Sequence, residues 1–546
     1  MNKQNAKMLR MTHHYIIGKR VALLILAAIS TGTVLAQSKM DKTNEHFFYK
    51  EYNYIDNLYQ GMSTPVGLAY NRVGTVTDAS VFRHFERGAF HQVDAGSKNN
   101  SLNASLYGLQ RFKKLSLEGQ IGYVNCKDYN RKWNSTLFLT RSNPFVIGDS
   151  IASDVTTELF NMSVGAAYEW NPLFVGAIKL AYKVGSSADQ TDPRPKVNSS
   201  RFVINPGVEL RLGSAHRLGF SATLALFNSE LTHTVINSYT NYMYFLMKGS
   251  GDYITRTNSD LAGYPRDYSG NTLKGALQWV YAPASSSLSN IFEVELSSIN
   301  ENAEDGGAAY TFKAGDYDKR GISIADRLRL ASSDRFVHNI TANFSYYKGK
   351  GYWYDQRKKT DTEHGNISYY EILNESKVHD ASYYEGGASY RFDMLKNGLP
   401  DFTVKVSTGI NGMRIKQYQA KMAEQKYTTG TIDLEIGKYW MLGSCRMQGI
   451  LDGYTSFGIG DKQADFIQAS TRESYAAPYF EYLSAKSSGF KAHLSADFPV
   501  KLYGTNTWFG LFANVACKFY NEESVYSKMF DSRSRTAINA GVSLKF

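Results

Sequence analysis

Two absences bound this chain of 546 residues before any motif is read. It contains no internal run of about 18 apolar residues that could cross a bilayer as a helix, which excludes a helical membrane protein. Cysteine is almost absent: Cys126, Cys445 and Cys517 lie far apart, allow at most one disulfide, show no metal-ligand spacing and are expected as free thiols. Proline is also scarce, 11 residues against 45 Gly, 39 Tyr and 30 Phe. No Gly-rich phosphate loop, nucleophile elbow or nucleic-acid signature occurs. The mean hydropathy of -0.37 is polar for a membrane protein, but it suits a β-barrel, in which only alternate residues face lipid.

What is present begins with a leader. Lys3, Lys7, Arg10, Lys19 and Arg20 stand without an acidic residue, then comes the apolar run Val21 to Ile29, then Val34-Leu35-Ala36 before Gln37. That order reads as a cleaved secretory signal peptide over 1–36, with a run too short to span a bilayer. No Cys follows the cut, so a lipoprotein is not expected. Removing the leader lowers the count of 61 basic residues by those five and leaves the 50 acidic ones, a mild positive excess compatible with loop charge and with lipopolysaccharide phosphates.

Beyond the leader the dominant signal is period-two alternation. Phe160, Met162, Val164, Ala166, Tyr168 and Trp170 alternate with Asn161, Ser163, Gly165, Ala167 and Glu169, and after Asn171-Pro172 the pattern resumes at Phe174. Similar hairpins set Phe202 to Leu212 against Leu218 to Leu226, and Tyr384 to Phe392 against Phe402 to Val406. Many strands close on aromatics before a short turn, as in Tyr168-Glu169-Trp170-Asn171-Pro172, Trp279-Val280-Tyr281, Tyr390-Arg391-Phe392, Tyr439-Trp440 and Phe498-Pro499. Such residues are expected in a periplasmic interfacial girdle. Long polar segments at about 128–156, 231–270, 298–318, 347–380, 455–473 and 520–532 fall between them and read as extracellular loops.

These features predict an all-β fold: a transmembrane antiparallel up-and-down β-barrel of about 18 strands (16 to 20), with short periplasmic turns and long extracellular loops. Residues 72–546 form the barrel and 37–71 a periplasmic or lumen-facing segment, rich in Tyr, that could fold as a small plug. Asp326 shares the parity of Ile324 and Leu328, which predicts a bulge or slipped register. The stretch from Ser474 to Phe498 is read as one long strand, which keeps both ends of the barrel periplasmic.

Gln37 after the leader, the strand Tyr383 to Phe392 and the ending Gly541-Val542-Ser543-Leu544-Lys545-Phe546 together resemble outer-membrane barrels of Bacteroidota, in particular a family catalogued only as a domain of unknown function. The last strand is similar to the signal that such barrels present to the barrel assembly machinery, with Phe546 as its terminal aromatic. The resemblance implies residence in the outer membrane, among its lipid and lipopolysaccharide, and a part in TonB-dependent uptake beside a TonB-dependent transporter or a surface lipoprotein. It supplies no catalytic residues.

Function is read from two residue sets. Glu209, Arg211, Glu293, Glu295, Glu385, Arg391, Lys405, Asp433 and Glu435 are placed on inward faces and would line the lumen, either of an open channel for small hydrophilic solutes or of a barrel whose charges pair and fill it. Tyr242, Tyr244, Phe245, Tyr352, Trp353 and Tyr354 stand in loops dense in residues favoured at binding hot spots and are candidate surface-binding residues. An accessory or binding subunit of a nutrient or metal uptake system is preferred, a porin-like channel is the alternative, and an outer-membrane hydrolase is remote. His84 with His91, and His364 with His379, lack a same-face carboxylate at ligand spacing, so no metal, cofactor or catalytic residue is expected. A full TonB-dependent transporter needs a plug domain before a 22-stranded barrel, and alternation beginning near Val73 leaves too little chain for one.

Overall fold

The computed structural model describes residues 48–546, apart from 238, 250, 258–264, 307–310, 364, 419–421, 461, 468–469, 503–504, 524 and 531–532. The leader and residues 37–47 of the expected N-terminal segment, like His364, lie outside the described residues.

Eighteen long strands run in chain order: β1 (Thr75–Gly88), β2 (Lys98–Arg111), β3 (Leu115–Arg131), β4 (Ser153–Asn171), β5 (Phe174–Asp189), β6 (Lys196–Leu212), β7 (His216–Thr232), β8 (Arg266–Tyr281) and β9 (Leu288–Asp305) make the first half. The second half is β10 (Phe312–Ser333), β11 (Phe336–Asp361), β12 (Ile367–Lys396), β13 (Leu399–Gln417), β14 (Ala423–Leu442), β15 (Cys445–Gly458), β16 (Ser487–Leu502), β17 (Thr505–Tyr520) and β18 (Ser534–Lys545). Each pairs antiparallel with its chain neighbours, and β1 pairs with β18, Val81 opposite Val542. The sheet therefore closes with no free edge, the condition for strands to lie in lipid without orphaned backbone groups. Beyond Lys545, Phe546 exchanges backbone hydrogen bonds with Thr77 at 2.7 and 3.0 Å and completes the seam.

The outer face explains why these segments alternate. Val164, Phe220, Leu224, Leu277, Leu296, Ile340, Val406, Leu434 and Leu494 all point outward and exposed, Leu277 at 64 % and Leu296 at 61 %. An apolar belt of this kind around a closed barrel places the protein in the outer membrane, with lipid as the missing partner of the belt. Tyr168, Trp170, Trp279, Tyr390 and Phe498 are exposed beside the short turns, where their amphipathic rings suit the membrane interface. Tyr439 departs from that set: it points inward and is buried against Phe48, with ring centroids 5.5 Å apart.

Three further expectations are corrected. No bulge marks Asp326, which stays in register opposite Phe292 and accepts a hydrogen bond from Asn290 at 2.9 Å; that partner satisfies an outward carboxylate without a change of parity. Segments 298–318 and 347–380 are mostly strand, because β9 to β12 extend far above the belt, β9 to Asp305, β10 from Phe312, β11 to Asp361 and β12 from Ile367. The stretch from Ser474 begins as helix, with α2 (Ala477–Leu483) carrying Pro478 in its first turn, and only then becomes the single strand β16.

Candidate functional site

Both ends of the lumen are occupied by the chain itself. At the end of the short turns, residues 48–74 cross the barrel mouth as α1 (Tyr49–Asp56) and a 3-10 turn, Pro65–Tyr70. Tyr49, Tyr52 and Ile55 recur on one face of α1 and are buried. Tyr49 and Tyr52 join Phe48, Val66, Leu68, Ala69 and Val73 against inward residues Val76, Leu109, Ala167, Val175 and Tyr439 of the wall, while Ile55 packs on Val337 and Leu395. The second turn is started by Pro65 and capped by Thr64, whose hydroxyl accepts from the Val66 N–H at 3.3 Å. Gly207 of β6 makes the approach possible, since a Cβ there would lie 2.8 Å from Pro65 Cδ.

Polar contacts then lock the segment around the circumference. Glu209, 1 % exposed, accepts the phenol hydrogens of Tyr59 and Tyr70. Arg211 donates to Tyr70 at 2.9 Å and pairs with Glu169 at 3.4 Å. Burial and the adjacent carboxylate push the Tyr70 phenol up to about 12, so it stays a donor at neutral pH. Glu293 accepts from Ser63 and, at 2.7 Å, from Gln278. Arg391 pairs with Asp393 at 2.9 Å and sits 5.3 Å from the Tyr54 ring centroid.

Partners from four other places complete the lock: Asp78 accepts from Tyr49 and Lys50, Arg327 donates to the Tyr54 and Gln60 carbonyls, Arg329 pairs with Asp56 at 2.8 Å, and Tyr52 donates to the Gly398 carbonyl at 2.9 Å. Sequence reasoning did not single out Asp78, Arg327 or Arg329. Their inward parity was available, but nothing local distinguishes an inward charge that meets the segment from one that meets a neighbouring strand.

The remaining inward charges lie along the wall. Glu295 pairs with Lys274 at 2.9 Å. Lys405 stands opposite Glu435 in register, and Asp433 is two residues before Glu435 on β14. On the neighbouring strand Asp452 pairs with Lys491 at 2.8 Å. Glu385 faces the cavity described below.

At the other end the long loops fold inward. Residues 132–152 enter the lumen and bury Phe145 and Ile147 with Leu231, Tyr268, Tyr317 and Trp353. Ile147–Gly148, Tyr244–Met247 and Tyr253–Arg256 form a small antiparallel sheet, with Tyr244–Met247 central. Glu301 on β9 anchors this loop, accepting from Thr140 Oγ1 at 2.7 Å and from Asn143 at 3.0 Å. Helix α2 packs Phe480 onto inward Ala381, Met413, Ile415 and Tyr427, while its Glu481 accepts from Tyr520 at 2.6 Å and pairs with Lys462 at 3.0 Å. Of the aromatics expected at a partner surface, Tyr244, Phe245, Trp353 and Tyr354 are buried inside this outer closure, Tyr242 and Tyr352 are half-buried. Their density serves a core that the loops make for themselves.

Between the outer closure and the wall lies a cavity of about 500 Å³. Its floor and side are inward residues of β10 to β14, among them Lys319, Tyr347, His379, Tyr383, Glu385, Asn411 and Tyr427; its roof is Asp94, residues of the 132–152 loop including Arg141, Tyr475 just before α2 and Tyr479 within it. His84 lies elsewhere on the inner wall, where its Nδ1 meets Asn539 at 2.6 Å and its Nε2 lies 3.8 Å from Glu86. His91, in the loop after β1, contacts the Gln92 carbonyl at 2.6 Å.

Comparison with known proteins adds a family and a fold. Residues 65–546 match the model of a family described as a family of unknown function, DUF6850. None of the curated proteins matches. Among solved structures, the ferric preacinetobactin receptor BauA of Acinetobacter baumannii is similar at 9 % identity, over 87 % of this chain and 80 % of that one, with a TM-score of 0.37. The RagAB peptide importer in its closed-closed state is similar at 6 % identity, over 87 % of each chain, with a TM-score of 0.38. The copper transporter OprC is similar at 9 % identity, over 87 % and 83 %, with a TM-score of 0.35.

Proposed function

This chain belongs to the DUF6850 family of unknown function, and from that premise we propose that it is the binding component of an outer-membrane uptake system, closed at rest, rather than an open pore or an enzyme. The observation that carries this reading is the lock across the short-turn end: Glu209, Glu293, Arg327, Arg329 and Asp78 hold residues 48–74 from many sides of the mouth at once. A porin needs that mouth free for water. A receptor needs it shut until cargo and partner are engaged.

Partnership is supported by the tall hairpin of β11 and β12. Among the described residues, strand pairing to its neighbours stops at Tyr352 and His379, and nine further residues of β11 continue paired only within the hairpin. At ~3.3 Å per residue this ribbon runs roughly 30 Å beyond its last strand pairing with its neighbours, its lower part packed on Phe312 and Lys313 of β10. It exposes Ile367, Tyr369, Ile372 and Leu373, apolar groups suited to a second transport component at the cell surface.

Planar-bilayer recordings of the refolded protein test the reading. Silence from the full chain, with stable ohmic steps only from a variant lacking both residues 48–72 and the inward loop 132–152, is the expected result; ohmic steps from the full chain would return the protein to the porin class. A pull-down from detergent-solubilised membranes that recovers no stoichiometric partner would remove the accessory role.

A further inference from the structure

One side chain on the wall of the 500 Å³ cavity is left unsatisfied by the fold. His379 is 3 % exposed, yet neither ring nitrogen has a hydrogen-bond partner among the described residues. Leaving a buried polar group unpaired costs about 1–3 kcal/mol, so a group of this kind at a cavity wall points to something that enters. A neutral imidazole offers one donor and one acceptor, and a hydroxyl, itself both donor and acceptor, matches either nitrogen.

The rest of the lining narrows the class. Lys319 and Arg141 are answered by Glu385 and Asp94, so the charges on the lining balance and an anionic solute gains no net attraction. A bare cation is disfavoured as well: among the described residues no group of three or more His, Cys, Asp or Glu is placed to hold a metal. Aromatic rings are abundant instead. Lys319 Nζ lies 4.3 Å from the Tyr347 centroid and 5.7 Å from that of Tyr383, which brings both rings to one part of the wall. The negative faces of such rings attract weakly positive C–H groups, which line one side of a sugar ring while its hydroxyls point to the edges. The volume lies within the ~300–1,000 Å³ of small-molecule pockets.

We propose that this chamber binds a neutral, polyhydroxylated solute of di- to trisaccharide size, stacked on Tyr347 and Tyr383 and hydrogen-bonded by His379 and Asn411. The proposal rests on the uptake reading and names its cargo class.

The test titrates the detergent-purified, folded barrel with neutral di- and trisaccharides built from glucose, mannose, galactose, xylose and N-acetylglucosamine, with sialylated and sulfated oligosaccharides and tripeptides alongside, read by calorimetry and tyrosine fluorescence. The expected result is saturable one-to-one binding of at least one neutral saccharide, weakened tenfold or more by His379→Ala and by Tyr383→Ala and largely kept by His379→Gln, which restores a donor and an acceptor. Asn411→Ala is the second variant where His379→Ala fails to fold, with the same loss expected. No binding of any neutral saccharide, binding untouched by these substitutions, or a preference for the charged oligosaccharides or the tripeptides overturns it. Conductance silence together with absent saccharide binding would leave the closed barrel standing and remove only the cargo.

Discussion

Ser63 donates its backbone N–H and its hydroxyl to Glu293, the hydroxyl at 2.9 Å, across 230 positions of sequence. The contact joins a short coil to the wall near its short-turn end, and with the paired phenols on Glu209 it makes the inner closure a set of charge-assisted bonds rather than a hydrophobic stopper alone.

Replacing Glu209 by Ala removes the acceptor of both Tyr59 and Tyr70. Hydrogen bonds to charged groups contribute about 1.5–3 kcal/mol each, so docking of residues 48–74 should weaken by roughly 3 kcal/mol while the barrel stays folded. Hydrogen exchange over 49–70 reads this directly. Unchanged protection there would show that the apolar contacts of α1 suffice.

Arg266 and Asp305 form a pair that solvent hardly reaches, at 1 % and 0 % side-chain exposure, with Nη2 to Oδ2 at 2.7 Å. Breaking a buried pair from one side costs about 3–5 kcal/mol, because the remaining charge is stranded. Asp305→Asn should therefore lower the unfolding midpoint in detergent by much more than Arg266→Met with Asp305→Asn together, where both charges are gone. Equal losses from the single and double variants would refute a stranded-charge penalty.

The outer closure should tighten in acid. Burial raises the carboxyl of Asp149 from 3.8 to about 6 in the folded loop. The folded form thus prefers the proton, and the ionised form, present above about pH 6, costs the closure about 3 kcal/mol. Stability gained on this account appears as pH falls from about 6 to about 4 and is constant outside that window. Exchange protection of 133–149, corrected for intrinsic rates, should rise across it, and Asp149→Asn should abolish the rise.

Much of the barrel was legible because lipid enforces alternation one residue at a time: Leu434 and Ile436 point out wherever Asp433 and Glu435 point in, and no distant contact is needed to see it. The closures were not legible for the opposite reason. Tyr244, Phe245 and Trp353 read as surface aromatics in a loop, and only long-range packing with Phe145, Tyr268 and the small sheet buries them. Tyr439 and Trp440 look alike as a girdle pair, yet the parity of Ile436 and Lys438 turns Tyr439 inward onto Phe48, a residue almost four hundred positions away. Asp326 misled through its charge, which Asn290 satisfies locally. His379 stood out only as one of a pair with His364 that lacked ligand spacing, since a histidine without a partner is defined by what surrounds it.

Gly321 underlies one wall of the chamber: a Cβ there would fall 2.2 Å from Cδ1 of Tyr347. Gly321→Ala must displace that ring, an overpacking expected to cost about 1–3 kcal/mol, and saccharide affinity should fall with it. A crystal or cryo-electron structure of the variant with the Tyr347 ring unmoved would refute the steric account.

The last residue of the 3-10 turn is Tyr70 and the first of β1 is Thr75, so Asn71, Arg72, Val73 and Gly74 are all that tie the inner closure covalently to the barrel. Fully extended, that tether reaches roughly 14 Å. A tether of that length sets what release would look like: were its bonds to the wall to let go, the closure would stay beside β1 and β18 and leave an asymmetric gap on the far side of the mouth, and its return would be a first-order event, independent of protein concentration.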